Sequence, residues 1–116
     1  MAALMNERTH LPVATALELA VTRRSRRRGL LGRDHLDASA ALMLTPCAAV
    51  HTAFMRFAID VVFLDRNGYA VKLVSDVAPW RMTLAVGART VVELPAGSLR
   101  RHAVALGDRL YVAPAA

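Results

Sequence analysis

The chain has 116 residues, 55% hydrophobic and 21% charged, a balance that excludes a disordered polypeptide and suits one domain with its own core. Its formal charge of +6 and isoelectric point near 11.0 rest on fourteen Arg and one Lys, which favours nucleic acid, anionic lipid or an acidic protein as partner without singling out one of them. The single cysteine, Cys47, excludes an internal disulfide, and no apolar run approaches the roughly 20 residues of a membrane helix.

Residues 1–14 are expected to form a flexible leader and residues 15–113 a single domain, because Met1–Pro12 shows no hydrophobic period. Asn6, Glu7, Arg8 and His10 interrupt what would be the apolar stretch of a secretory signal, so a cytoplasmic location is expected. Thr15–Val21 alternates Leu17, Leu19 and Val21 against Ala16, Glu18 and Ala20, the pattern of a half-buried strand. Thr22 can cap a short helix over Arg23–Leu31, with Gly29 and Gly32 ending it. Asp34–Ser39 reads as a loop, Ala40–Leu44 as a strand stopped by Thr45-Pro46, and Val50–Phe54 as extended.

Ile59–Asp65 is a nearly continuous apolar run whose only charge before its last residue is Asp60, which suits a strand covered on both faces. Asn67-Gly68 supplies the residues of a two-residue type I′ turn into a strand over Tyr69–Val77, with Tyr69, Val71 and Leu73 on one side. Pro79 breaks that strand and leaves Trp80 and Arg81 at its exit; Met82–Ala88 fits loop or strand equally. Thr90–Leu94 is a strand closed by Pro95, Ser98 can cap a helix with apolar Leu99, Ala103 and Leu106 that ends at Gly107, and Arg109–Val112 is the last strand, with Leu110 and Val112 inward. Ala113–Ala116 should fray. Six or seven strands and two short helices make the expected fold mostly β, a compact β-sandwich or partly closed barrel.

Four fragments, Arg28-Gly29-Leu30-Leu31-Gly32-Arg33, His51 to Asp60, Glu93-Leu94-Pro95-Ala96-Gly97 and Gly107-Asp108, resemble in order and spacing the bacterial and archaeal domain of unknown function 192 family, over about Thr15 to Val112. The resemblance implies a compact, mostly β domain without an assigned activity, in a branch often found near pilus-assembly and secretion genes. The departure from the family pattern is Ala53-Phe54, where members commonly place Gly before the Met.

The chemistry-bearing residues fall into three sets. Arg23, Arg24, Arg26, Arg27 and Arg28 spread around a helix as a basic knob, either a solvated helix or a contact for phosphates or acidic lipid; no aromatics interleave them for base stacking. Cys47, His51 and Met55 at i, i+4, i+8 carry soft donors, but an extended chain separates the first two by about 13 Å, so no metal is expected. His51, Thr52, Met55, Arg56, Asp60, Trp80, Arg81 and Glu93 make the candidate binding set, because a buried carboxylate needs an Arg or backbone donor and Arg presents a fork of donors. Arg56 is the nearest candidate partner for Asp60, and Asp60 and Glu93 could line one pocket. Extending the hairpin register, with a bend near Ala53-Phe54, brings His51 and Trp80 to one site.

No nucleophile elbow, zinc motif or phosphate loop is present. The expected function is therefore a non-enzymatic binding module, without a cofactor, for a protein partner or a small polar or anionic ligand. A hydrolase or lyase using His51 with Asp60 competes with it, as does polyanion binding through the arginine knob.

Overall fold

The structure, a computed structural model, describes residues 2–114. Nine strands and two short helices follow in the order β1 (Ala2–Asn6), β2 (Leu11–Ala20), α1 (Arg23–Arg28), β3 (Ala40–Leu44), β4 (Ala49–His51), β5 (Ile59–Leu64), β6 (Ala70–Val77), β7 (Met82–Leu84), β8 (Thr90–Pro95), α2 (Ser98–Arg101) and β9 (Leu110–Pro114). Seven strands form one sheet, ordered β6-β5-β8-β3-β2-β1-β9, and β4 with β7 forms a separate ribbon. Among the described residues only β2 and β3 pair in parallel, which requires a crossover, and α1 lies in that connection.

The large sheet curls into a half-barrel whose outer strands meet at one end. Tyr69 bridges Arg109, the Ala70 N–H donates to the Asp108 carbonyl at 2.8 Å, and the Leu110 N–H donates to the Gly68 carbonyl at 2.9 Å. The inner face carries one core cluster drawn from all seven strands, including Leu4, Leu17, Met43, Val62, Val92 and Leu110, plugged by Leu99 and Val104 at α2. The outer face of β3, β5 and β8 carries a second cluster, with Leu44, Val61, Phe63 and Val91 covered by Leu30 after α1, by Val50 of β4 and by Met55. Covering on both faces is why every residue of β5 is buried, and why its apolar run does not alternate.

Several expectations need correction. The leader expected over residues 1–14 instead holds β1, paired with both β2 and β9, with Leu4 and Asn6 buried; its register shifts between Ala2 and Leu4 and again between Leu4 and Met5, which hides the two-residue period. In β2 the buried positions are Val13, Ala14, Leu17 and Ala20, whereas Leu19 and Val21 are exposed. The hairpin turn is a three-residue loop, Arg66-Asn67-Gly68. The Gly68 N–H donates to the Asp65 carbonyl at 3.0 Å, and Gly68, not Asn67, takes positive φ. The irregularity between Phe63 and Leu64 turns Ala70 inward and leaves Tyr69 and Val71 exposed. Met82–Leu84 is a strand. The second helix is a single turn capped by Gly97, so Ala103 and Leu106 lie outside it and are exposed. Val112 faces outward, and Ala113 and Pro114 pair with β1 rather than fray; the remaining two residues of that expectation, Ala115 and Ala116, lie outside the described residues.

Thr22 caps α1 as expected. Its hydroxyl accepts from the Ser25 N–H at 3.0 Å, and the Ser25 hydroxyl accepts in return from the Thr22 N–H. The loop over residues 34–39, β3, β8 and the stops at Thr45-Pro46 and Pro95 also fall where the sequence places them.

Gly68 is the closure point of the half-barrel. A Cβ there would stand 2.8 Å from the Leu110 carbonyl oxygen, and φ is +90°. Gly68→Ala is expected to destabilise the protein by about 2 kcal/mol, from backbone strain together with a displaced β9. Urea unfolding measures the loss, and hydrogen exchange of the Leu110 amide should accelerate before that of β5.

Candidate functional site

Asp60 is 1% exposed and faces the inner side of the sheet, opposite Leu94 of β8. Ser75 and Asp76 stand opposite it in a bulge, since Ile59 pairs with Val77 and Val61 with Val74. Its carboxylate accepts from the Asp76 N–H at 2.8 Å and the Leu99 N–H at 2.9 Å, so it holds the bulge of β6 and the first turn of α2. Arg56 does not reach it; that side chain is exposed and paired with Asp34.

Glu93 faces the other way. It pairs across β5 with Val61, a residue of the outer cluster, so the two carboxylates point to opposite faces of one sheet and line no common pocket. The same geometry separates Asp60 from His51, which lies with Glu93 on the outer side, and this removes the acid–base pair of the hydrolase or lyase reading. Glu93 is 4% exposed; its carboxyl has no hydrogen bond or ion pair among the described residues and opens onto a cavity, so it is not sealed off from solvent. Burial pushes its pKa up to about 7, and the Arg33 charge lowers it only in part, because the Arg33 guanidinium is bound to Glu18 at 2.7 Å.

Above Glu93 lies a cavity of about 70 Å³ between α1, β4 and the turn after it. Its walls include Leu30, Leu44, Val50 and Met55, with Arg26, Arg27 and Arg28 at α1. Cys47, His51 and Met55 all border it, because the chain bends after Thr52 instead of continuing extended. The Cys47 thiol donates to the Ala49 carbonyl at 3.1 Å. Among the described residues no three His, Cys, Asp or Glu side chains come close enough to hold a metal ion.

The bend is held by Thr52, which is buried. Its hydroxyl donates to the Ala78 carbonyl at 2.7 Å and accepts from the Arg81 N–H at 2.8 Å, while its N–H donates to the Arg81 carbonyl at 2.8 Å. The Trp80 N–H donates to the Thr52 carbonyl at 3.0 Å. Thr52 is thus a bracket and is not free for a ligand. His51 pairs with Met82 in the ribbon, so His51 and Trp80 approach each other through β4 and β7 and not through an extended β5–β6 register.

Trp80 packs on Phe54 with ring centroids 4.5 Å apart. Both residues hold positive φ, 64° at Phe54 and 66° at Trp80, a backbone conformation that bulky side chains rarely adopt. Phe54 therefore takes a left-handed turn that a glycine would adopt without strain. The two rings open onto the outer face of the ribbon, where Met82 and Leu84 are exposed and Val86 follows at 95% exposure. Arg81 is exposed beside them. The sequence singles out Trp80 and Arg81 but not the rest of this face, because Phe54 falls in a stretch expected to be extended and Met82, Leu84 and Val86 in Met82–Ala88, whose short strand has no strong period.

In the arginine knob, Arg23, Arg24, Arg27 and Arg28 are exposed, Arg26 is half-buried, and no residue of α1 is buried. The Arg26 guanidinium donates to the Val21 carbonyl at 2.7 Å.

A further bracket joins β1 to the start of β9. Asp108 accepts from Asn6 Nδ2 at 2.9 Å, Arg8 Nε at 2.6 Å and the Ala105 N–H at 2.8 Å. The Arg8 hydrogen bond, followed by those of Ala105 and Asn6, holds the Asp108 carboxyl at about 2, below its ordinary range. A carboxyl depressed in the folded state stabilises the fold above its unfolded value near pH 4, and that contribution disappears as pH falls through about 2. Between pH 4 and pH 2 the wild type should therefore lose more of its stability than Asp108→Asn, as read from urea midpoints across the acid range.

Among the described residues, nine strands, two helices of one to two turns and a curled seven-stranded sheet define a small, mostly β protein of the half-barrel type. The chain belongs to the domain of unknown function 192 family, described as Uncharacterized ACR, whose model matches residues 4–112. It is 44% identical over 64 residues to a UPF0127 protein of Pyrococcus furiosus, a match that covers 54% of each chain, so it spans about half the length of that relative. In solved structures the same fold occurs in a candidate transcription regulator of Sinorhizobium meliloti (TM-score 0.80, 20% identity, 96% of this chain and 91% of that one). A protein of unknown function from Novosphingobium aromaticivorans also shares it (TM-score 0.78, 17% identity, 95% and 82%). Among the described residues no helix is long and apolar enough to cross a membrane.

Proposed function

We propose that this protein is a non-enzymatic binding module that captures a partner protein on the outer face of the β4–β7 ribbon. The observation that carries the reading is the Phe54–Trp80 pair: two exposed aromatic rings in contact, each on a left-handed backbone. Such strain is of the order of 1–3 kcal/mol per residue and tends to persist where function demands it. Met82, Leu84 and Val86 extend the rings into an apolar strip, and Arg81 beside Trp80 completes the residue types that dominate interface hot spots. The family likeness makes secretion or pilus assembly the first cellular context to probe.

The test places a photo-crosslinking phenylalanine at position 84 in cells, with the exposed Tyr111 position on β9 as control. One heterologous protein should be captured from position 84, not from 111, and Trp80→Ala should abolish the capture. Equal labelling from both positions, or a product of twice the chain mass, overturns the reading.

A second reading, polyanion binding, is favoured by the five arginines of α1, none of them buried. It predicts retention on heparin or anionic vesicles at low salt, and a shallower salt slope once Arg23, Arg24 and Arg27 are changed to Gln. Failure of the wild type to be retained makes α1 a solvated helix only.

A further inference from the structure

The cavity under α1 shares Ala49 and His51 of β4 with the ribbon but does not include Phe54 or Trp80, and its chemistry is unusual for a sheet interior. Glu93 reaches it from β8, buried and without a donor among the described residues, and a Cβ added at Gly29 would stand 3.7 Å from Glu93 Oε1. A carboxyl in that position is normally paired, because leaving it unmatched is costly. The charged and titratable groups around it are Arg26, Arg27 and Arg28 from α1, Arg33 from the loop after α1, and Cys47 and His51 from the segment leading into β4 and from its end. Among the described residues Arg33 is matched by the Glu18 carboxylate and Arg26 by the Val21 carbonyl, whereas Arg27 and Arg28 have no carboxylate partner.

This arrangement selects the ligand by charge. A cation would satisfy Glu93 but would have to enter past Arg26, Arg27 and Arg28, which line the cavity, while Arg33 already acts on Glu93 through its charge. An anion is attracted by them, and it can share a proton with a neutral carboxyl, as two adjacent carboxylates do elsewhere. The apolar walls formed by Leu44, Val50 and Met55 suit a short hydrocarbon end, and about 70 Å³ leaves room for little more than that.

We infer that the cavity binds a carboxylate, with the Glu93 carboxyl O–H donating to one ligand oxygen, Arg27 and Arg28 at the rim supplying positive charge, and the ligand's apolar end against Val50 and Met55. The carboxylate can come from a free short-chain acid or from the C-terminus of a peptide. Burial already favours the neutral form of Glu93 up to about pH 7, so the donor is present without further rearrangement.

Titration of the folded, full-length protein with sodium propionate at constant ionic strength tests this, with backbone amide shifts as readout. Shifts should concentrate at Leu30, Val50 and Met55, and the apparent dissociation constant should rise about tenfold per pH unit above 7, where Glu93 ionises. Glu93→Gln keeps a donor and should bind with no such pH dependence, whereas Glu93→Leu should not bind although it folds. A tetrapeptide with a free C-terminus, run beside its C-terminal amide, distinguishes the sources: tighter binding of the free peptide than of propionate identifies a chain terminus, and binding of propionate alone identifies a free acid. Absence of propionate shifts between pH 5 and pH 8, shifts that survive Glu93→Leu, or preferential binding of methylammonium or acetamide overturns the inference. Failure of the crosslinking experiment at position 84 would leave all of these results unchanged.

Discussion

Asp60→Ala is expected to destabilise the protein by about 4 kcal/mol in urea unfolding at pH 7. The substitution strands two backbone donors, the Asp76 and Leu99 N–H groups, which the Asp60 carboxylate accepts at 2.8 and 2.9 Å. Each buried donor left unmade costs about 1–3 kcal/mol. Asp76 also holds a φ of 54°, a conformation kept by its hydrogen bond to Asp60, so the β6 bulge should relax as well. Asp60→Asn retains one acceptor oxygen and should lose about half as much. A neutral result for Asp60→Ala would mean that the bulge and α2 hold themselves.

The second large effect is a dependence of stability on pH that centres on Glu93. Its folded pKa is raised to about 7 from an ordinary 4.5, so between those values the unfolded chain has released a proton that the folded chain retains. Stability must therefore fall as pH rises through that window, in the opposite direction from the Asp108 effect. At about 1.4 kcal/mol per unit, the loss is of the order of 3 kcal/mol and is complete just above pH 7. Glu93→Gln cannot ionise. Relative to the wild type it should gain about that amount between pH 4.5 and pH 8, as read from paired denaturation curves; parallel curves for the two proteins would show that folding leaves the Glu93 proton equilibrium unshifted.

What could be read from the residues alone were features whose causes are local. Ile59–Leu64 is apolar at nearly every position because both faces are covered, and that composition announced a central strand. Thr22 and Ser25 form their cap within four residues, and Pro95 stops β8 by lacking a donor. Asp60 was expected to be buried because a lone charge in such a run must be, but its partners are backbone amides from β6 and α2, which lie 16 and 39 residues away.

The family, the mostly β class and the candidate residues Glu93, His51 and Trp80 were thus determined by the sequence itself, through motifs, periods and caps that act over a few positions. Tertiary structure alone decided which of those residues meet. Asp60 and Glu93 part because β5 and β8 pair with Asp60 opposite Leu94 and Glu93 opposite Val61, and strand alternation then sends the two carboxyls to opposite faces. Cys47, His51 and Met55 converge on one cavity because Thr52 bends the chain with bonds to Ala78 and Arg81, across a gap that no short-range pattern spans. β1 escaped the sequence for the same reason: its bulged register erases the local period, and it is held by pairing with β2 and, more than a hundred residues later, with β9.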